Sequence, residues 1–138
     1  MNRQEFQKLA KNRLKDAKAL LQAKRFDAAY YLAGYAIECA LKACIARKTN
    51  KYDFPPNRKT IDQFYSHDLR DLISAAGLTL EFESKLKENN SFQLFWTVVK
   101  NWNEKSRYET HTQKDAEDIY RAISNKTNGV LRWLKLHW

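Results

Sequence analysis

The chain has 138 residues, of which 43% are hydrophobic and 13% aromatic, with only 3 Gly and 2 Pro. This length fits one domain over residues 1–138 with a sizeable core, and the apolar content excludes a disordered chain. So few turn-forming residues predict long helices rather than a many-stranded sheet. The formal net charge of +9 suits a polyanionic partner such as RNA, DNA or an acidic protein. A lysine-rich surface explains the same charge without any partner.

The first two predicted helices are joined by a short connector. Residues 3–24 carry one apolar stripe opposite a face of Lys and Arg. Asp27 is a plausible N-cap for a second helix that runs to about Lys48. Residues 26–48 are apolar almost all round and rich in small residues. This second helix is therefore predicted to be central, buried and closely approached by its neighbours.

A long loop and three shorter helices are predicted next. Residues 49–66 form the longest irregular segment, in which Pro55 and Pro56 together forbid a helix. Ser66 or Asp68 is expected to cap the following helix. The three helices are predicted over residues 67–76, with Gly77 closing the first, around residues 81–88, and over residues 91–103.

The end of the chain predicts a polar junction and one last helix. Residues 104–111 are polar, and Thr110 or Thr112 is expected to cap the helix that follows. Apolar residues recur at helical spacing from Ala116 to Leu134, so one helix is predicted to continue through Gly129.

Cysteine usage and hydropathy predict a cytoplasmic protein. Cys39 and Cys44 point roughly 140° apart on the second helix, so they cannot pair and are interpreted as small buried hydrophobic residues. Residues 1–25 lack the apolar segment of a signal peptide, and no run reaches the ~18 apolar residues of a membrane span.

Standard catalytic motifs are missing from the sequence. It has no CxxC, HExxH or paired acidic motif, no glycine-rich phosphate loop and no serine nucleophile elbow. No metal or other cofactor is therefore expected.

The segment AAYYLAGYAIECALKA, residues 28–43, resembles the second helix of HEPN domains. These are small all-α domains associated with nucleic acids and nucleotides in prokaryotic defence and toxin–antitoxin systems. Residues 66–72 and 102–108 strengthen the resemblance, which extends over nearly the whole chain. It implies an up-and-down bundle of four or five helices that forms a homodimer. It also implies a minimal nucleotidyltransferase partner encoded nearby, with one partner toxic and the other neutralising.

The resemblance places candidate catalytic residues at Arg107 and His111. HEPN ribonucleases carry an Arg and a His separated by four to six residues, where the His acts as general base on a ribose 2′-hydroxyl. The Arg stabilises charge on the attacked phosphate, and no metal is needed. Here only three residues separate the pair, a spacing that puts both on one face of a regular helix. The Ser-Arg-Tyr at 106–108 also resembles HEPN proteins without a catalytic His, in which the Arg is structural or binds an anion.

Candidate phosphate-binding residues are Lys42, Arg47 and Lys48, at the end of the second helix, together with Tyr108. The stretch from Lys42 to Lys59 holds six basic residues against one acid, so it could follow phosphates. Lys42 either pairs with Glu38, one turn away, or faces a groove with Arg107.

Two further features leave alternatives open. His67 is interpreted as a capping or core-edge histidine in preference to a catalytic one. Trp133 and Trp138 either form a dimer contact or complete the chain's own core.

Three functions follow. The first is a metal-independent endoribonuclease or toxin that uses Arg107 and His111. The second is a non-catalytic module that binds a nucleotide, a nucleic acid or the nucleotidyltransferase. The third is a purely structural interaction subunit.

Overall fold

The computed structural model describes residues 1–51 and 57–138, and in these residues it is all helical. This confirms the all-α prediction. The helices are α1 (Arg3–Gln22), α2 (Phe26–Lys51), α3 (Arg58–Phe64), α4 (Leu69–Ala75), α5 (Thr79–Glu88), α6 (Asn90–Val99), the 3-10 helix (Glu104–Tyr108), α7 (Gln113–Ser124) and α8 (Val130–Lys135). There are more helices than the four or five predicted because several are short pieces between turns. No helix of this part of the chain is long and apolar enough to cross a membrane.

Helix α2 is the centre of the bundle. It packs against α1, α4, α7, α8 and the 3-10 helix, and its apolar side chains from Ala29 to Ile45 are mostly buried. Small residues allow this crowding, because an alanine or glycine lets a neighbouring helix approach the backbone. Both Cys39 and Cys44 are free and buried, which confirms their interpretation as hydrophobic residues.

Asp27 does not cap α2. The helix begins one residue earlier, at Phe26, so Asp27 lies in the first turn. Its carboxylate instead accepts a hydrogen bond from the backbone N–H of His111, with 2.6 Å between the oxygen and the nitrogen. The prediction was wrong because this tertiary contact uses the side chain that a cap would need.

The predicted loop over residues 49–66 is partly helical. Helix α2 extends to Lys51, and α3 begins after Asn57, whose side chain accepts from the Thr60 N–H at 2.8 Å. Phe64 then packs its ring edge-on against Phe6 of α1, at a centroid distance of 5.8 Å. This contact between distant segments stabilises a helix that local sequence did not reveal. The predicted helix break at Pro55 and Pro56 lies outside the described residues.

The last predicted helix is two helices. It breaks after Ser124, where the Asn125 side chain accepts from the N–H groups of Thr127 and Asn128. Gly129 then precedes α8 in an extended conformation and does not lie inside a helix. Trp133 of α8 is buried in the chain's own core, and Trp138 packs half-buried against it.

Three other helix ends were predicted correctly. Asp68 caps α4 by accepting from the Asp71 N–H at 3.0 Å, and Thr112 caps α7 through a capping box. Gly77 closes α4 in the left-handed region, at φ 71°, which glycine adopts without strain.

Candidate nucleic-acid interface

The 3-10 helix is a firmly held platform on α2. Its Asn103 cap accepts from the Lys105 N–H at 2.8 Å, and Ser106 is buried beneath it. Just before it, the buried Trp102 donates its indole N–H to the Tyr31 carbonyl of α2 at 3.1 Å. These contacts leave Arg107 and Tyr108 on the outer side of the helix.

Arg107 and Tyr108 form an open cation–aromatic pair. Tyr108 is 77% exposed, and the guanidinium carbon of Arg107 lies 4.7 Å from the centre of its ring. The phenol of Tyr108 raises the pKa of Arg107 above its ordinary value, so the guanidinium keeps its charge. A planar cation beside an exposed aromatic ring can contact a phosphate and a base together.

His111 is enclosed rather than open. Its imidazole stacks on Tyr30 at a centroid distance of 3.7 Å, and its side chain is only 10% exposed. Its Nε2 is fully buried and has no hydrogen-bond partner among the described residues. Burial chiefly raises the pKa of the neighbouring Tyr30 phenol, and Asp115 and Glu109 add to this.

The two candidate catalytic residues do not share a helical face. The chain is a 3-10 helix at Arg107 and becomes extended at Glu109, so the helical geometry is absent. Burial chiefly raises the pKa of the Tyr31 phenol and the charge of Arg107 opposes this, whereas His111 stacks on Tyr30. Tyr30 and Tyr31 are consecutive residues of α2 and point roughly 100° apart. Arg107 and His111 therefore lie on different sides of that helix.

A cavity of about 530 Å³ is lined in part by His111. It is lined by residues 24–28 at the start of α2, including Lys24 and Arg25, together with Thr110 and His111. His111 therefore borders open space, although its Nε2 is covered.

A second polar cluster lies where α2, the start of α4 and the 3-10 helix meet. Glu38 is 2% exposed, and its Oε1 contacts Lys42 Nζ at 3.0 Å and His67 Nδ1 at 2.8 Å. His67 Nε2 in turn lies 3.1 Å from Glu104 Oε2. The predicted Glu38–Lys42 pair is confirmed, and His67 joins it in place of capping α4.

Arg47 and Lys48 lie away from both groups. Arg47 is about 24 Å further along α2 than Tyr31 at 1.5 Å per residue. Lys48 Nζ donates to the Ala75 carbonyl at 3.4 Å, at the end of α4. The structure thus separates these two candidates from Arg107, whereas Lys42 contacts Glu38, whose second partner His67 lies against Glu104 of the 3-10 helix.

Comparison with known proteins identifies the family. The HEPN domain model matches residues 4–137, nearly the whole chain. The chain belongs to the HEPN domain family. HEPN domains are in general related to nucleotides or RNA. No curated protein and no solved structure matches the chain.

In this HEPN domain, sequence reasoning missed the roles of His67 and Glu104. The sequence predicted that Glu38, a charged residue in an apolar helix, needs a partner of opposite charge. Lys42, one turn away, met this requirement by itself. Nothing local indicated that His67, 29 residues away, would bind the same oxygen. Within the described residues, no group of three or more His, Cys, Asp or Glu is arranged to hold a metal ion.

Proposed function

We propose that this HEPN domain binds RNA or a nucleotide through Arg107 and Tyr108, as a non-catalytic module. The observation that carries this is the difference in access between the two candidate residues. Arg107 and Tyr108 are open to solvent, while His111 is 10% exposed and covered by Tyr30. A general base must reach the hydroxyl from which it takes a proton, and the enclosed Nε2 does not.

The chemistry of this surface favours a phosphate and an unpaired base. Arginine donates two parallel hydrogen bonds to a phosphate, and Tyr108 offers a ring face on which a base can stack. The net charge of +9 adds long-range attraction for any polyanion.

Binding of labelled single-stranded RNA, measured by fluorescence anisotropy over a range of salt concentrations, tests the proposal. Arg107→Ala should weaken binding about tenfold and lower the salt slope by about one. Lys105→Ala is the matched control, because it removes one exposed charge from the same 3-10 helix. Equal losses in the two variants would show that Arg107 has no specific role.

A metal-independent endoribonuclease is the second candidate function. The cavity that His111 lines favours it, because the basic residues Lys24 and Arg25 line the same space. Cleavage of labelled RNA in EDTA, with a preparation free of any inhibiting partner, tests it. His111→Ala should then lose about 100-fold or more in cleavage while RNA binding is kept. A wild-type protein that binds RNA without cleaving it would reject this candidate.

We also propose, on family membership, a homodimer and a nucleotidyltransferase partner in a prokaryotic toxin–antitoxin or defence pair. Light scattering on the purified protein should give twice the 16.3 kDa of one chain. Co-expression with a nucleotidyltransferase encoded beside it should yield a complex that co-purifies. A monomeric mass, or failure to co-purify, contradicts the respective part.

A further inference from the structure

We propose that a second surface binds the phosphodiester backbone of RNA, at a cavity between α1, α8 and the turn after α7. Lys126, Arg132 and Lys135 line this space, which is called the α7–α8 cavity below. The inference rests on the proposed function and extends it, because it makes the ligand a strand of several nucleotides rather than a single nucleotide.

The last part of the chain carries positive charge without any acidic residue. No Asp or Glu follows Asp118 in the sequence, whereas Lys126, Arg132 and Lys135 do. The fold brings these three cations to one cavity of about 320 Å³. All three are exposed, and no carboxylate that the structure describes forms an ion pair with any of them. Their charges can therefore attract an external anion.

Helix α1 extends this positive surface. Leu14 lines the α7–α8 cavity, and Lys11 and Lys18 flank it on the same helical face, three and four residues away. Lys11 Nζ lies 5.5 Å from the centre of the Trp138 ring, and Lys135 Nζ lies 5.8 Å from the same centre. One aromatic ring thus connects the lysines of α1 with those of the cavity.

The end of α7 opposes the binding of an anion, but weakly. Helix α7 ends at Ser124, which also lines the cavity, and a helix C-terminus carries a partial charge of about −0.5. Three full positive charges line the same cavity. They outweigh the partial charge several-fold, so the cavity favours anions on balance.

The composition of the surface favours a nucleic acid over an acidic protein. The aliphatic lining is largely covered, since Ile123 is 0% and Leu131 4% exposed, so little apolar area remains for a protein partner. Lysine is depleted at protein–protein interfaces, whereas protein–nucleic acid interfaces are strongly positive and phosphate contacts need only cations. Four of the five cations on this surface are lysines.

The distance from Arg107 implies a strand. Arg107 precedes the start of α7, whereas the α7–α8 cavity lies at its end. Helix α7 has 12 residues and is therefore about 18 Å long. Successive phosphates of one strand lie about 3.4 Å apart along a duplex, so a length of about 18 Å corresponds to about six nucleotides. A single nucleotide does not reach both surfaces.

Neutralising the cavity tests the inference. A triple variant with Lys126→Gln, Arg132→Gln and Lys135→Gln is titrated with a labelled single strand of about 12 nucleotides, by anisotropy over a range of salt concentrations. Each phosphate contact to a single strand contributes about 0.7 to the salt slope, so the slope should fall by about two. That difference corresponds to binding about 100-fold weaker at about 0.1 M salt.

The matched control removes three charges elsewhere. It combines Lys59→Gln, Lys87→Gln and Lys100→Gln, at three exposed positions that do not line the cavity. Its net charge equals that of the triple variant, but salt at about 0.1 M screens charges more than about 10 Å from the RNA. The control should lose less than about threefold in affinity and keep its salt slope.

Strand length gives a second measurement. Wild-type protein should bind a strand of about 12 nucleotides about tenfold more tightly than one of about four, because two contacts on one strand reinforce each other. The triple variant should lose this advantage. An undiminished advantage in the triple variant would contradict the inference.

Two further results would overturn the inference. The first is an equal loss of affinity and slope in the triple variant and its control. The second is poly-glutamate that displaces the strand as well as unlabelled RNA of equal charge, because the surface would then suit an acidic protein. If Arg107→Ala still weakens binding in either case, the proposed function stands. If only the triple variant weakens binding, the cavity stands and the proposed role of Arg107 fails. Thermal unfolding confirms that each variant is folded.

Discussion

Gly34 is the position on α2 where Trp102 packs directly on the helix backbone. A Cβ at Gly34 would lie 2.2 Å from Cδ1 and 2.3 Å from Nε1 of Trp102, against 3.4–4 Å for ordinary contact. Trp102 is 2% exposed and donates to the Tyr31 carbonyl. The indole cannot move aside without losing this hydrogen bond and its packing. We therefore predict that Gly34→Ala destabilises the fold and disturbs the platform that carries Arg107.

The predicted loss of stability combines two destabilising effects and one stabilising effect. Forcing an extra carbon into a packed core costs about 2 kcal/mol, and weakening a buried hydrogen bond costs about 1 kcal/mol. Alanine is favoured over glycine inside a helix by about 1 kcal/mol, which offsets part of this. The free energy of unfolding should fall by about 2 kcal/mol, or about 6 °C in Tm for a chain of this size.

Urea unfolding followed by circular dichroism measures this cost. The same substitution in a Trp102→Leu background is the control, because the smaller side chain leaves room for the added Cβ. Gly34→Ala should cost less than about 0.5 kcal/mol there. An equal cost in both backgrounds, or a stabilised single variant, would refute the steric argument.

Further predictions concern the buried thiols, the turn after α4 and the buried carboxylate. Burial raises the pKa of Cys39 to about 11 and that of Cys44 to about 12 from 9.0. The free energy of unfolding should therefore stay constant below about pH 9 and fall above it, because the thiols ionise at lower pH in the unfolded chain than in the folded one. Urea unfolding midpoints measured over this pH range check the prediction. Cys44→Ala should make the fall less steep. Gly77→Ala should lower stability by about 1 kcal/mol, because φ is 71°, and an unchanged Tm would contradict this. Lys42→Ala leaves His67 as the remaining partner of Glu38 among these contacts and should cost about 2 kcal/mol, and an unchanged midpoint in thermal unfolding would contradict it.

The helices with strong local patterns were predicted well. The apolar run of α2, the stripe of α1 and the Asp68 cap of α4 each carry their own signal in adjacent residues. Where prediction failed, a contact from elsewhere decided the outcome. Helix α3 depends on Phe64 meeting Phe6, and Asp27 binds His111 instead of capping α2.

The break between α7 and α8 had a local signal that was outweighed. Asn125 and Gly129 are turn residues, but apolar spacing on both sides favoured one continuous helix. The structure uses Asn125 to bind two backbone N–H groups in the turn. Apolar periodicity alone does not distinguish one helix from two successive helices.

The sequence by itself determined the helical fold, the central position of α2 and the family, because these depend on residue patterns within single segments. It also indicated that Arg107 is the residue to test. Only the tertiary structure decided that His111 is covered by Tyr30 and that His67 and Glu104 meet beside Glu38. Such contacts join segments far apart in the chain, and their geometry follows from how whole helices pack, which local spacing does not encode.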